Sequence, residues 1–331
     1  MFDPINRREI PNEWILRSEI PEDVLKKWIE TGKLVLLPDG GVLKRGFTTG
    51  TTAAAATKAA VLSIRKSVDK VFVMTPSGIR VELPVESSNG VGTASKDAGD
   101  HEFDITDGIR ITATTTLCED GITINAGRGI GRFGDGKPAI NPSPMESIKR
   151  AVREALNIIN EHGAEVLIEV ENGEKFAKKT LNPTYGVLGG ISILGTTGFV
   201  EPWNEHLEEM VKSLIEGFSK VALTTGRRGA EFSRRMLRGY EVVVIGSRFE
   251  MIEDISKKTT DLILCGLPAL ILKWGNPDIL KSTGFKTVRE MVMNEPAHEA
   301  INQSIEAIKK RYPHLQILLF NFDGNILRNT R

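Results

Sequence analysis

Cysteine is almost missing from this chain: two in 331 residues, Cys118 and Cys265, far apart and without companion thiols. That excludes a disulfide framework and a four-thiolate metal centre, and both thiols are expected to be reduced and buried. Aromatic residues make up only 6%. The five histidines, His101, His162, His206, His298 and His314, are scattered, so no Ser-His-Asp or Cys-His arrangement signals covalent catalysis. Net charge is absent as well, with 43 basic side chains against 43 acidic ones. A neutral chain has no global attraction for nucleic acid or an anionic membrane, and neither is expected as a partner. The opening segment, 1–13, mixes Asp, Arg and Glu with Pro and offers no apolar run for a signal sequence, so the expected compartment is the cytoplasm. From Thr180 to Val200 charge is missing altogether, but glycine, threonine and Pro183 make the stretch too polar for a membrane span. It reads as buried backbone near a site.

What is present suffices for two cored domains: 40% of the residues are hydrophobic. Residues 1–41 read as a lead-in, with a helix begun by Pro21 and stopped at Gly32, then a strand from Leu34 to Leu37 closed by the turn Asp39-Gly40-Gly41. Residues 42–200 read as an antiparallel α+β domain. In it the alanine-rich run Ala53 to Ile64 forms a helix, and Val71–Met74 pairs with Ile79–Leu83 as a hairpin. Ile109–Leu117 and Ile122–Ile124 form a second hairpin around Glu119-Asp120-Gly121. Ser143-Pro144-Met145-Glu146 has capping-box spacing and opens a helix running to His162-Gly163, with a strand from Val166 to Val170 after it. Residues 201–331 change rhythm. Short apolar strands at Val221–Leu223, Glu241–Ile245, Leu262–Cys265 and Ile317–Phe320, separated by helical stretches, predict a smaller Rossmann-like α/β domain with a mainly parallel sheet. Its ligand belongs beyond the strands' carboxyl ends, at Thr224-Thr225-Gly226, Gly246-Ser247 and Gly266-Leu267-Pro268.

Glycine stands at 32 residues and is clustered. The run from Gly127 to Pro138 contains G-x-G-x-x-G from Gly129 and nearly G-x-x-x-x-G-K from Gly131. Neither serves a nucleotide here: no helix follows until Pro144, and Pro138 occupies the position where a phosphate loop needs a hydroxyl and an amide. What remains is a glycine loop carrying Arg128, Arg132 and Lys137. It either clamps the carboxylates of a polyanionic small molecule or is solvated surface, and residue type does not decide between them. Thr48-Thr49-Gly50-Thr51-Thr52 precedes the alanine helix and puts hydroxyls and amides at its positive end, which suits a carboxylate and equally suits simple capping. Lys96-Asp97-Ala98-Gly99-Asp100-His101, with Asp104, is an acidic loop whose single histidine and loose spacing favour solvated charge over a metal site. Gly226-Arg227-Arg228-Gly229 lies between a strand and a helix, the order of a nucleotide-type site, although the acid expected after the next strand is missing and Glu250 is displaced.

Phe47-Thr48-Thr49-Gly50-Thr51-Thr52-Ala53-Ala54-Ala55-Ala56, Lys96-Asp97-Ala98-Gly99-Asp100, Gly136-Lys137-Pro138-Ala139-Ile140-Asn141-Pro142 and Gly189-Gly190-Ile191-Ser192-Ile193-Leu194-Gly195-Thr196-Thr197-Gly198 occur in that order, with Glu201-Pro202 just after. Together they resemble the CbiD family, densely from about Arg45 to Trp203 and thinly afterwards. The resemblance implies methylation of C1 of cobalt-precorrin-5B, with S-adenosylmethionine as donor, to give cobalt-precorrin-6A in anaerobic cobalamin biosynthesis. It implies a tetrapyrrole partner and no protein-bound metal, the cobalt being carried by the substrate, and it leaves homo-oligomerisation open. From it follow Asp97, Asp100 and Thr49 as catalytic residues, with His101 as a further proton acceptor ranked last. The donor is assigned to Gly195, Thr196, Thr197, Gly198, Thr225, Gly226 and Gly229. The substrate is assigned to Thr48, Gly50, Lys96, Arg128, Arg132, Lys137, Asn141, Arg227 and Arg228. The alternative is a protein that binds a corrinoid intermediate without catalysis.

Overall fold

A helix buried on every side needs side chains that let neighbouring backbones approach, and the alanine run supplies them. In the computed structural model, which describes residues 1–102, 104–180, 182–183, 186–202, 211, 215, 218–281 and 283–330, the chain divides into two compact units, Met1–Leu207 and Glu208–Arg331.

The first unit begins with β1 (Phe2–Asp3), β2 (Arg8–Glu9), α1 (Asn12–Arg17), α2 (Glu22–Glu30), β3 (Leu34–Leu36), β4 (Val42–Lys44) and β5 (Gly46–Phe47). α3 (Thr49–Ser63) follows, then β6 (Lys70–Met74), β7 (Arg80–Pro84), β8 (Glu86–Ser88), β9 (Val91–Ser95), β10 (Arg110–Cys118) and β11 (Gly121–Ala126). α4 (Pro142–Ile159), β12 (Gly163–Val170), α5 (Gly173–Ala177) and β13 (Phe199–Val200) complete it. α3 is the alanine helix. Ala53 to Ala56, Ala59 and Ala60 are buried, and the helix packs on α4, β6, β9 and β10. Gly92 of β9 lies against its backbone, where a Cβ would meet Ala56 and Ala60.

The five-stranded sheet has the order β11-β12-β10-β9-β8. β6 and β7 form the expected hairpin. β10 and β11 do not: β12 lies between them, antiparallel to β10 and parallel to β11. The acidic turn at 119–121 therefore reverses the chain without pairing its two arms. α4 starts two residues before Pro144, with Asn141 as its cap residue and no side-chain capping bond, so the capping-box reading of Ser143 to Glu146 is corrected. It ends where Asn160 turns left-handed at φ 57°.

The second unit contains β14 (Lys220–Thr224), α6 (Arg227–Met236), β15 (Glu241–Val244), α7 (Met251–Ser256), β16 (Asp261–Gly266), α8 (Pro268–Gly275), α9 (Val288–Asn294), α10 (Glu299–Arg311), β17 (Gln316–Phe320) and β18 (Ile326–Asn329). Its sheet runs β15-β14-β16-β17-β18, with the first three pairings parallel and β18 antiparallel at one edge. Both units mix helices and strands, as expected. Cys265 is buried, and desolvation pushes its thiol up to about 12 against the opposing bond with the Ser233 hydroxyl. Cys118, at the end of β10, is exposed, which corrects the expectation that both thiols are buried. Among the described residues no helix is long and apolar enough to cross a membrane.

Candidate functional site

The four sequence blocks are far apart along the chain, and in the first unit all four converge on the segment 44–50 and the loops around it. Phe47 donates its amide to the Asp97 carbonyl at 2.7 Å, and the Asp100 amide donates to the Lys44 carbonyl at 2.9 Å. β5 pairs with β13, so Thr48 follows directly and donates its amide to the Gly198 carbonyl at 3.0 Å. Gly50 donates to the Leu194 carbonyl at 3.0 Å, while Asn141 donates to the Ile193 carbonyl at 3.0 Å. Pro144 lies so close to Gly50 that a Cβ there would stand 2.8 Å from the proline ring.

Thr48 caps α3, its hydroxyl accepting from the Thr51 amide at 3.3 Å. Thr49 donates its hydroxyl to the Ser192 carbonyl at 3.0 Å and accepts from the Leu194 amide at 3.0 Å. Thr51 donates to the Gly198 carbonyl at 2.8 Å, and Thr52 to the Thr48 carbonyl at 3.0 Å. All these threonines are buried. The hydroxyls that suggested a carboxylate receptor are engaged internally, those of Thr49 and Thr51 on the 192–198 loop and those of Thr48 and Thr52 within the first turn of α3; of that loop, Leu194 and Thr196 are exposed. Gly195 at φ 132° and Gly198 at φ 89° take backbone conformations closed to other residues, Gly195 lying against Thr48, and a Cβ on Gly198 would stand 2.7 Å from Thr75. Thr197 is buried, and its hydroxyl accepts from the Phe199 amide at 3.2 Å.

The acidic loop is an ion-pair array. Lys44 Nζ meets Asp97 Oδ2 at 2.7 Å, and the Lys44 amide donates to Asp100 Oδ2 at 2.6 Å. Burial works to raise the Asp97 carboxyl, but the Lys44 ammonium, the Gly99 amide and the Lys96 charge outweigh it and hold it below the usual range. Lys96 is buried, with its ammonium 2.5 Å from Asp104 Oδ2. Asp104 is likewise lowered, burial opposing and Lys96 and Thr106 prevailing. Carboxylates held low are weak proton acceptors near neutrality. Among the described residues no cluster of His, Cys, Asp or Glu could hold a metal ion.

The glycine loop is woven into its neighbour: Gly131 donates to the Ile191 carbonyl and Ile191 to that of Gly129, at 2.8 and 2.9 Å. Gly129, at φ 79°, lies against the Val170 carbonyl. No helix leaves this loop, in line with its rejection as a nucleotide fingerprint. Arg128 is exposed; Arg132 donates to the Gly136 carbonyl at 3.0 Å, and Lys137 pairs with Asp135 at 3.0 Å.

One residue that the sequence reading missed holds the first unit's site together. Arg45 is wholly buried and donates to Glu201 at 2.9 Å, to Asp3 at 2.6 Å and to the carbonyls of Leu34 and Gly32 at 2.9 and 3.3 Å. Burial would lower the guanidinium's pKa, and the Glu201 and Asp3 carboxylates raise it instead. Its signal was a cation between Lys44 and Gly46 with Glu201 following the last block, but no spacing rule connects residues so far apart.

In the second unit Thr225 and Gly226 follow β14, and Gly226 precedes the first residue of α6. Gly229 packs on Thr224 and on Gly266, where a Cβ would stand 2.9 Å from the Gly266 Cα. Arg228 donates to the Phe322 carbonyl at 2.6 Å. The side chain of Arg227 lies outside the described residues.

The CbiD family model matches residues 38–202. A protein of Methanosarcina acetivorans named cobalt-precorrin-5B C(1)-methyltransferase is 47% identical, over 100% of this chain and 99% of its own length. One of the same name from Methanococcoides burtonii is 48% identical, over 100% and 98%. The crystal structure of a cobalamin biosynthesis protein (cbiD) from Archaeoglobus fulgidus superposes with a TM-score of 0.73 at 38% identity, covering 83% of this chain and 93% of that one.

Proposed function

The chain belongs to the CbiD family, and from that membership we infer that it methylates C1 of cobalt-precorrin-5B, with S-adenosylmethionine as donor, to give cobalt-precorrin-6A in anaerobic cobalamin biosynthesis. The observation that carries this reading is full-length identity of 47% and 48% to relatives bearing that name. The enzyme is cytoplasmic in this reading, and its cobalt arrives with the tetrapyrrole.

The residues present fit such a donor. A Cβ at Gly226 would meet nothing within 4 Å, so bare backbone faces open space beside Thr225 at the end of a parallel strand. The donor supplies an electrophilic methyl carbon whose bond to sulfur breaks with both electrons left on sulfur. The ring carbon supplies the electron pair for the new carbon–carbon bond. The protein's part is to hold the partners in line, which can supply about 7–11 kcal/mol of the barrier without a protein nucleophile.

Thr225, Gly226 and Gly229, all in the second unit, are the donor residues of this proposal. Arg128, Arg132 and Lys137, all in the first unit, engage the acetate and propionate arms of the substrate. Thr48, Gly50 and Asn141 set the loops beside it, and Lys96 acts through its pair with Asp104. Thr49, Asp97 and Asp100 act as positioning residues: Thr49 fixes the 192–194 backbone, and the two aspartates fix Lys44. Titration calorimetry with S-adenosylhomocysteine tests the reading. Binding with a Kd below about 1 mM is expected, and silence at millimolar concentration contradicts it.

A further inference from the structure

The five-stranded sheet of the first unit has two edges, and only one of them is guarded. β8 is a three-residue strand that begins with Glu86, whose carboxylate is paired with Arg110 at 2.8 Å. β11, at the other edge, has six residues and reads Gly-Ile-Thr-Ile-Asn-Ala, without a charged side chain, a proline or a break in its register against β12. Short length, charge, proline and bulges are what blunt an edge strand, because its unpaired amides and carbonyls otherwise template a further strand. β11 has none of them.

The ladder fixes which of its groups are unpaired. Gly127, just past the strand, donates its amide to the Ile168 carbonyl of β12, so by alternation the main-chain groups of Ile122, Ile124 and Ala126 point away from the sheet. Among the described residues these outward groups meet a single side chain, Arg132, whose Nη2 reaches the Ala126 carbonyl at 3.4 Å. The side chains of the same three residues pack inward on the core, and those of Thr123 and Asn125 stand exposed on the outer face. On the inner side α4 leads into β12 and therefore runs against β11, and a hollow of about 350 Å³ opens between Lys149, Arg153 and Leu156 of the helix and Gly121-Ile122 of the strand. Glu146 shares that side of the helix by its repeat, one turn before Lys149 and two before Arg153. Among the described residues none of these three charges has an ion-pair partner.

We propose that β11 is the seam of a two-fold dimer, in which a second copy of this chain lays its own β11 antiparallel to the first, centred on Ile124, and continues the sheet across both copies. With the axis perpendicular to the sheet, the inner faces of the two copies stay on one side. Ile124 then pairs with Ile124, and Ile122 with Ala126 on either side of it, so every outward residue of one strand meets an outward residue of the other and each pair exchanges two hydrogen bonds. Centring on Thr123 instead leaves Ala126 without such a partner. The chosen register also sets Asp120 of each copy level with Arg128 of the other; both are exposed, and a guanidinium has donors enough to hold that carboxylate and a substrate arm together. Above the seam the two α4 helices lie antiparallel, turning Glu146 of one towards the cationic half of the other and covering the hollow.

Sedimentation equilibrium of the full chain tests it. A species of twice the 36.4 kDa chain mass is expected at micromolar concentration, and a wild type that stays monomeric up to about 100 µM overturns the dimer. The register brings Thr123 of one copy opposite Asn125 of the other, as a pair whose Cα atoms are about 4.5 Å apart. Thr123→Asp with Asn125→Asp therefore sets like charges face to face and should weaken dimerisation by about tenfold or more, while Thr123→Asp with Asn125→Lys sets opposite charges there and should restore it. Both positions are exposed on the outer face, and the two double variants share the aspartate at 123, so a fault of folding caused by that aspartate would appear in both. A dimer as tight in the double aspartate variant as in the wild type overturns the seam, and equal weakening in both variants overturns the register. Neither result touches the methyltransferase reading, which is tested by donor binding.

Discussion

Single residues in the first unit divide into those that shape loops and those that remain accessible. Thr49 belongs to the first kind, because its hydroxyl is bonded on both sides to the main chain of 192–194. Thr49→Val should cost about 1–2 kcal/mol of stability and lower kcat more than it raises KM, while Thr49→Ser, which keeps the hydroxyl, should restore most of the turnover. Equal loss in both variants would contradict a hydroxyl-based role. Asp104 makes a pH prediction. Its folded carboxyl is held below the usual value, so the pair with Lys96 contributes stability above about pH 4 and loses it as pH falls through the lower folded value. A melting-temperature profile of Asp104→Asn should lie below that of the wild type at neutral pH and converge with it in acid. The threonine block was legible in the sequence as a helix start, but not as a buried lattice, because the acceptors of Thr49 and Thr51 are carbonyls well over a hundred residues away.

At the scale of elements, alanine decides the architecture. α3 approaches β9 closely enough that Gly92 has helix backbone where a side chain would be. Gly92→Val should destabilise by about 1–3 kcal/mol, read as a lower urea midpoint; a neutral effect would mean that the helix and sheet can separate freely. Local signals were legible wherever they governed neighbours in sequence: α3, the β6–β7 hairpin and the parallel strands β14 to β17 all follow from periodicity and turn residues. The insertion of β12 between β10 and β11 was not. Glu119-Asp120-Gly121 specifies a reversal, but which strand fills the gap depends on a pairing from Cys118 to Gly163 that local patterns do not encode. β18 was missed for a similar reason: Ile326–Asn329 is a short edge strand, part-exposed and without a strong apolar run.

On the scale of the molecule, each of the two units has its own core. The first is tied from its start to its end by Arg45, which joins Asp3 to Glu201. Arg45→Met removes the guanidinium from two largely buried carboxylates and should cost about 3–5 kcal/mol, measured by urea unfolding; a loss below about 1 kcal/mol would show the pairs to be dispensable. The family was legible from the resemblance of four short blocks in order, while the second unit offered only a strand, a glycine loop and a helix. The most direct measurement is mass spectrometry and carbon-13 NMR of cobalt-precorrin-5B incubated anaerobically with the protein and methyl-labelled S-adenosylmethionine. The account predicts one added methyl carbon, at C1, with stoichiometric S-adenosylhomocysteine; an unchanged tetrapyrrole, or a label on another carbon, would contradict it.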